Sequence, residues 1–356
     1  MLGKLGLVGG VGLAWVLTFV FMGGDVLPAL SSNHTDPTAG IVTQAGPVRT
    51  ADPLTTTPAP GPSAQAAPQQ VKAALNAEAL AGAAQLAGST LAARPTARRA
   101  APPVLSFRFG TYNMLGSSHT RGSNKRASGP TRANRGAQYV LDNQLSVVGF
   151  QEMQADQRAS FLRSTNNTYG LYPGNQLRSN DGETSLAYRL DTWELIKADT
   201  VSIPYFSGKP RNLPVLLLRN RQTGIESYFT DFHNPADKFG NAARWRAIAK
   251  QRQIALFQDL ARTGKPVFVA GDMNEHRTWA CDIVGPSDLR VGAGGDGRNG
   301  CSVRTNRIVD WIAASYDVQW INYFEDRGPT VDYLTDHPII WGEVRIDSRD
   351  FPRSVS

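Results

Sequence analysis

Apolar and polar positions fall into ordered runs only from Val104 onward. Ser106-Phe107-Arg108-Phe109-Gly110-Thr111-Tyr112-Asn113 alternates and is bounded by turn residues, which predicts a strand. Ser146-Val147-Val148-Gly149-Phe150-Gln151-Glu152 is instead a continuous apolar run ending in a carboxylate, the pattern of a strand buried on both faces. Further strands are predicted over residues 185–189, 193–205, 215–221, 225–232, 267–270, 307–312, 318–324 and 337–346. Residues 132–143 carry a helical pattern. Residues 242–262 carry a stronger one, with Ala247, Ile248, Ile254, Ala255, Leu256 and Leu260 on the apolar face and Gly264-Lys265-Pro266 as the stop. Many strands with a few long helices between them imply a sheet-on-sheet core covered by helices.

The first hundred residues differ in kind. Residues 5–22 are almost wholly apolar and follow a single Lys4, so residues 1–24 read as a membrane anchor or a secretory signal segment. The length approaches that of a span, and Pro28-Ala29-Leu30-Ser31 is a weak cleavage site, so an uncleaved anchor is favoured with the remainder outside the cytoplasm. No aromatic residue occurs between Phe21 and Phe107, and Pro, Ala, Thr, Ser and Gly dominate. Residues 25–103 therefore read as a disordered linker that cannot bury enough apolar surface to offset its chain entropy. Residues 104–350 form the folded domain in this reading.

Charge and cysteine usage narrow the picture further. The net charge is +7, and with six basic and four acidic residues before Val104 the folded part keeps an excess of five positive charges. A modestly basic surface favours an anionic substrate, without choosing among nucleic acid, lipid headgroups and wall polymers. Cys281 and Cys301 are the two cysteines, in a Gly-rich stretch. In an exported chain they suggest one disulfide; two unrelated thiols are the alternative.

Six motifs carry chemistry, each at or near the end of an apolar run. They are Thr111-Tyr112-Asn113-Met114-Leu115, Gly149-Phe150-Gln151-Glu152-Met153, Asp231-Phe232-His233, Gly271-Asp272-Met273-Asn274, Arg307-Ile308-Val309-Asp310-Trp311-Ile312 and Thr335-Asp336-His337-Pro338. In order and spacing they resemble the endonuclease/exonuclease/phosphatase superfamily, the deoxyribonuclease-I-like fold, over residues 104–346. The resemblance implies a four-layered α/β sandwich: two mixed sheets face to face, helices outside, and an active site in the loops at one end.

Residue chemistry then assigns roles. Glu152 is the expected principal ligand of Mg²⁺, with Mn²⁺ or Ca²⁺ as alternatives, because Mg²⁺ takes one or two carboxylates and keeps most of its waters. Asn113 and Asp336 are expected to support the metal. Asp272 and Asn274 would orient and deprotonate the attacking water. His233 and His337 would contact the scissile phosphate, one as imidazolium, and Asp310 would hold one imidazole in its productive tautomer. Tyr188 resembles a phosphate-contacting tyrosine of some family members. His34, His119 and His276 stand outside the motifs and read as structural or surface residues. Arg121, Lys125, Arg126, Arg132 and Arg135 read either as a basic loop flanking the phosphate or as ordinary solvated surface.

The function implied is an extracytoplasmic, metal-dependent phosphodiesterase of nuclease type, with nucleic acid as the favoured anionic substrate, membrane association through the N-terminus and no protein partner. A phospholipid or sphingomyelin phosphodiesterase, or an inositol-phosphate phosphatase, would use the same site. A non-catalytic surface-binding protein is the remote alternative, since a scaffold has no need of His233, Asp272 and His337 together.

Overall fold

The computed structural model describes residues 101–122 and 125–355; the anchor or signal segment and nearly all of the linker lie outside them. In chain order the elements are β1 (Val104–Asn113), α1 (Ser117–Thr120), α2 (Gly129–Asp142), β2 (Leu145–Gln151), α3 (Ala155–Ser164), β3 (Tyr169–Tyr172), α4 (Ser179–Gly182), β4 (Ser185–Arg189), β5 (Trp193–Pro204) and β6 (Pro210–Asn220). There follow β7 (Glu226–His233), α5 (Ala243–Ala261), β8 (Val267–Asp272), α6 (Arg277–Ser287), β9 (Leu289–Val291), β10 (Asp310–Ser315), β11 (Gln319–Asp326), α7 (Pro329–Leu334) and β12 (Ile339–Asp347).

The strands make two six-stranded sheets, ordered β11-β12-β1-β2-β4-β3 and β5-β6-β7-β8-β10-β9. Each is mixed: β1 runs parallel to β2 and β7 parallel to β8, while the other neighbours are antiparallel. The sheets face each other across an aromatic core. Phe107 of β1 meets Trp193 of β5 edge-on at 5.0 Å and Phe268 of β8 at 5.3 Å, and Phe229 stacks on Phe268 at 4.9 Å. Burying one such side chain contributes about 1.5–3 kcal/mol. A second buried cluster forms where Ala133, Ala137 and Val140 of α2 and Phe161 of α3 cover Tyr112, Val148 and Phe150 on the outer face of the first sheet. On the second sheet, Phe257 of α5 meets Phe232 at 5.7 Å and Trp279 of α6 meets Trp311 at 5.9 Å. The result is the four-layered sandwich expected. Its middle position also explains why β2 is buried at every residue.

The differences from expectation have local causes. Strand β10 starts three residues later than the apolar run suggests, because the preceding backbone is used elsewhere. The Val309 carbonyl accepts the Met273 N–H at 2.8 Å, and the Ile308 carbonyl lies 3.0 Å from His276 Nδ1. Helix α3 is mostly polar and begins on a Gln154–Gln157 capping box rather than on a Ser, Thr or Asp cap, so no start signal stands out. Helix α6 holds Pro286 in its last turn. Cys281 and Cys301 form a disulfide with Cα atoms 5.2 Å apart, tying α6 to the Gly-rich loop. Among the described residues no helix is long and apolar enough to cross a membrane.

Candidate active site

Strand register assembles half of the site. Parallel pairing of β7 with β8 sets His233 opposite Asp272, and antiparallel pairing of β8 with β10 sets Asp272 opposite Asp310. Partners in register project from the same face of a sheet, so the three side chains form a row across the ends of adjacent strands. Their sequence neighbours Phe232 and Trp311 point the other way, toward α5 and α6. Gly271 must lack a side chain here: its φ is +153°, and a Cβ would lie 2.3 Å from the Phe232 carbonyl oxygen.

The facing sheet supplies the rest. Asn113 ends β1 and donates from Nδ2 to Asp272 Oδ2 at 3.1 Å across the gap between the sheets. Below that contact, Gln151 Nε2 donates to Asp231 Oδ1 at 2.6 Å, and burial pushes the Asp231 carboxyl well above the ordinary carboxylate range. Glu152, just past β2, has a left-handed backbone with φ +56°. Such a conformation costs a non-glycine residue about 1–3 kcal/mol and persists where the surroundings enforce it. Here it turns the carboxylate into the cavity, where Oε2 accepts the Gly116 N–H at 3.0 Å and lies 3.3 Å from His119 Nε2.

Asp272 is the hub. Its Oδ1 accepts the backbone N–H of Asn274 at 2.9 Å, while Oδ2 is 3.6 Å from His233 Nε2 and 3.8 Å from His337 Nε2. On its far edge, His337 Nδ1 lies 2.9 and 3.0 Å from the two oxygens of Asp310. Asp272, Asp310 and His337 offer ligand atoms within 4.8 Å of one another, a spacing that a cation could bridge. The contact of both Asp310 oxygens with Nδ1 marks this cluster instead as a carboxylate–imidazole pair sharing a proton.

The two imidazoles sit in opposite protonation states. Burial alone would lower His337, but the Asp310 and Asp272 carboxylates outweigh it and raise its pKa to about 10, so it is an imidazolium at neutral pH. At His233 burial outweighs the opposing Glu152 carboxylate, with the Arg211 and His337 charges acting in the same direction as burial, and pushes the pKa down to about 3, leaving it neutral. Burial also raises Asp272, to about 7, against the opposing pull of His337. At Glu152 burial acts upward but loses to the surrounding imidazoles and the Gly116 N–H, which hold the carboxyl below its ordinary range. An ionised carboxylate opening into that cavity is the hard-oxygen donor that Mg²⁺ accepts while keeping its waters, whereas Asn113 spends Nδ2 on Asp272 and Oδ1 on the Leu115 N–H at 3.0 Å. The Glu152 carboxylate fits a divalent cation.

Of the residues expected at the site, Glu152, His233, Asp272, Asn274 and His337 line one cavity of about 510 Å³. Asn274 is itself left-handed at φ +49°, and its Nδ2 is committed to the Asn234 carbonyl at 2.8 Å. Asp336 is exposed on the turn between α7 and β12 and does not line the cavity. The expectation for Tyr188 is corrected: it is a buried core residue of β4, its ring packed over Gly170, and it does not line the cavity. The tyrosine at the site is Tyr205, whose hydroxyl is 3.4 Å from His233 Nδ1 and whose ring carries the Arg211 guanidinium 3.7 Å above its centroid. Glu183, 3.5 Å from Arg211, and His119 complete the missed residues. The sequence signal for the first pair is the turn Tyr205-Phe206-Ser207-Gly208-Lys209-Pro210-Arg211, in which rings and cations flank Ser-Gly.

Most of the basic cluster after β1 serves structure. Arg132 is fully buried and donates to the carbonyls of Met114, Leu115 and Leu334 at 2.5, 2.6 and 2.8 Å. It thereby ties the loop after Asn113 to the segment before His337. Arg126 reaches the Thr335 carbonyl at 2.8 Å, and Arg135 stacks over Tyr333 at 4.4 Å.

A four-layered sandwich with a carboxylate, two imidazoles and an Asp–Asn pair converging at one end is a phosphoester hydrolase by fold and site. The sequence profile of the Endonuclease/Exonuclease/phosphatase family matches residues 110–333, and the chain belongs to that family. Solved structures share the fold. An endonuclease/exonuclease/phosphatase family protein from Bacteroides thetaiotaomicron superposes with a TM-score of 0.56 at 16% identity, covering 69% of this chain and 99% of that one. A mannosyl-6-phosphatase from the same organism gives 0.52 at 18% identity, with 67% and 99% covered. The catalytic domain of human Nocturnin with a bound sulfate gives 0.53 at 14% identity, with 68% and 97% covered. No curated protein matches the chain by sequence.

Proposed function

We propose that this chain is an extracytoplasmic, Mg²⁺-dependent phosphodiesterase of nuclease type. The observation that carries the reading is Asp272 Oδ2, set between Asn113, a neutral His233 and a cationic His337, in the same cavity as the ionised Glu152. Glu152 would hold the metal, which when bound supplies charge neutralisation at the phosphate. Asp272 takes the proton of the attacking water; a carboxylate raised to about 7 is matched to base chemistry near neutral pH. The Asn274 N–H fixes the other carboxylate oxygen, so the base is presented in one orientation. His337, held by Asp310, offers its Nε2 proton to the negative charge that develops on the phosphate. His233, positioned by Tyr205, faces the same carboxylate from the other side.

Placement outside the cytoplasm rests on the apolar stretch of residues 5–22 and on the Cys281–Cys301 disulfide, a bond that oxidising compartments favour. Phospholipid, sphingomyelin and inositol phosphate would engage the same groups, and charge complementarity alone does not separate them from nucleic acid. The test is a substrate panel of plasmid DNA, RNA, sphingomyelin vesicles and a small phosphodiester, run on the full-length chain with Mg²⁺ and with EDTA. Cleavage of the nucleic acids that EDTA abolishes is the expected result. All four substrates intact would sink the enzymatic reading; cleavage of sphingomyelin alone would replace the nuclease with a lipid phosphodiesterase.

A further inference from the structure

Four rings run outward from the catalytic centre. The His233 and Tyr205 ring centroids are 5.5 Å apart, Tyr205 and Phe206 are 4.3 Å apart, and Phe206 meets Phe239 edge-on at 4.8 Å. Phe239 is 71% exposed, the most exposed large hydrophobic side chain among the described residues, and it lines the same cavity as Glu152, Asp272 and His337. An aromatic ring left in water forgoes the burial that aromatic side chains ordinarily gain. Its setting is nevertheless built. The loop carrying it is tied at its base by Arg246, which is buried and donates to the Pro235 carbonyl at 2.9 Å and to Asp237 Oδ1 at 3.0 Å; Asp237 in turn accepts the Ala242 N–H at 2.7 Å. The turn carrying Phe206 is fixed by left-handed Ser207 and Gly208, and Gly208 lies so close to Trp245 that a Cβ would come 2.6 Å from its ring.

Resting on the phosphodiesterase reading above, we infer that Phe239 and Phe206 form a nucleobase subsite. A base attached to the sugar beside the scissile phosphate stacks on these rings, with Lys209 and Lys238 in the lining of the same cavity matched to phosphate charge. The size of the apolar surface decides against an acyl chain. Phe239 is the one exposed large hydrophobic side chain in this lining, and cations flank it, whereas insertion into a lipid surface needs a contiguous apolar patch.

The experiment compares two phosphodiesters with the full-length chain and Mg²⁺: a dinucleoside phosphate and its counterpart with hydrogen in place of both bases. The wild type is expected to favour the base-bearing ester, chiefly through KM. Phe239→Ala is expected to reduce that preference about tenfold, within the range one stacking ring supports, and Phe239→Trp to restore it. A preference unchanged in Phe239→Ala, or an equal loss on both esters, overturns the subsite. So does a variant that binds phosphatidylserine vesicles less well than wild type while keeping its base preference. If the wild type cleaves neither ester, the phosphodiesterase reading fails by itself, and calorimetric binding decides the subsite. Thymidine 5′-monophosphate must then bind more tightly than deoxyribose 5-phosphate, and Phe239→Ala must erase the difference; equal binding of the two refutes it.

Discussion

Replacing Asp310 by Asn keeps its shape and removes its charge, which isolates the contribution of the Asp310–His337 pair. Asp310 is 1% exposed, and both of its oxygens approach His337 Nδ1, at 2.9 and 3.0 Å. The rise of His337 from 6.5 to about 10 has Asp310 as its leading upward cause. At about 1.4 kcal/mol per unit, the rise favours the imidazolium by roughly 5 kcal/mol, with Asp310 the leading upward contributor. The substitution should therefore lower the His337 pKa, and lower kcat by about 10²–10³-fold, the scale of losing one preorganised group that stabilises transition-state charge.

Hydrolysis of bis(4-nitrophenyl) phosphate by the full-length chain, followed over about pH 5 to pH 11, reads both effects. Asp272 must be deprotonated to act as base and His337 protonated to stabilise charge, so the wild-type profile is a bell with limbs near about 7 and about 10. In Asp310→Asn the alkaline limb moves inward. Histidine Cε1–H shifts in the NMR spectrum report the same titration without turnover. Stability offers an independent sign check. The folded-state pKa of His337 lies above the unfolded one, so its contribution is fully present below about 6.5 and is lost as pH rises through about 10. The gap in unfolding free energy between wild type and variant must be widest at about pH 6 and narrow by about pH 11. An alkaline limb and a histidine titration both unmoved in the variant would refute the pairing as the origin of the imidazolium.

Three further outcomes are expected. Glu152→Gln should weaken Mg²⁺ binding in calorimetry by at least about tenfold, since Mg²⁺ relies on one or two carboxylates; unchanged affinity would remove Glu152 from the metal. Tyr205→Phe should lower turnover severalfold by releasing His233, while Tyr188→Phe, in the core, should leave turnover as it is; steady-state kinetics on one diester separates the two residues. Replacing both Cys281 and Cys301 by Ser should lower stability by about 3 kcal/mol in urea denaturation, the scale of a loop-closing cross-link, with kcat retained.

Much of this arrangement could be read from the chain because its apolar runs end where the chemistry starts. Strand β4 matches its expected bounds at both ends, since turn residues flank a short run that is buried up to its last residue, Arg189. That a buried Asp310 requires a partner followed from the cost of an unpaired carboxylate, and His337 Nδ1 is that partner. What escaped depends on long-range choices. Tyr188 and Tyr205 both occur in strand-forming stretches, and only the packing of one sheet on the other decides which ring enters the core and which meets His233. Arg132 carried no sign that it would donate to three backbone carbonyls rather than meet an anion, because the segments it joins lie far apart in the chain. Strand β10 was displaced for a similar reason: Val309 looks like strand, but its carbonyl holds the turn after Asp272.

The site's logic lies in an asymmetry imposed on two like residues. His233 and His337 approach the same oxygen of Asp272 at 3.6 and 3.8 Å, and both are largely buried. Burial alone would leave both neutral. The difference is one strand away: β10 adds Asp310 in direct contact with His337 Nδ1, whereas Nδ1 of His233 faces the Tyr205 hydroxyl and the Arg211 and His337 charges oppose the pull of Glu152. The Asp310 contact, together with the cations around His233, thus divides the imidazoles into a cation and a neutral ring. In the same field, burial and the Asp310 charge raise Asp272 to about 7 against the pull of His337, where it can hold or release a proton near neutral pH. The acid–base assignments therefore follow in large part from strand register, because the pairing of β8 with β10 sets which of the two histidines meets Asp310.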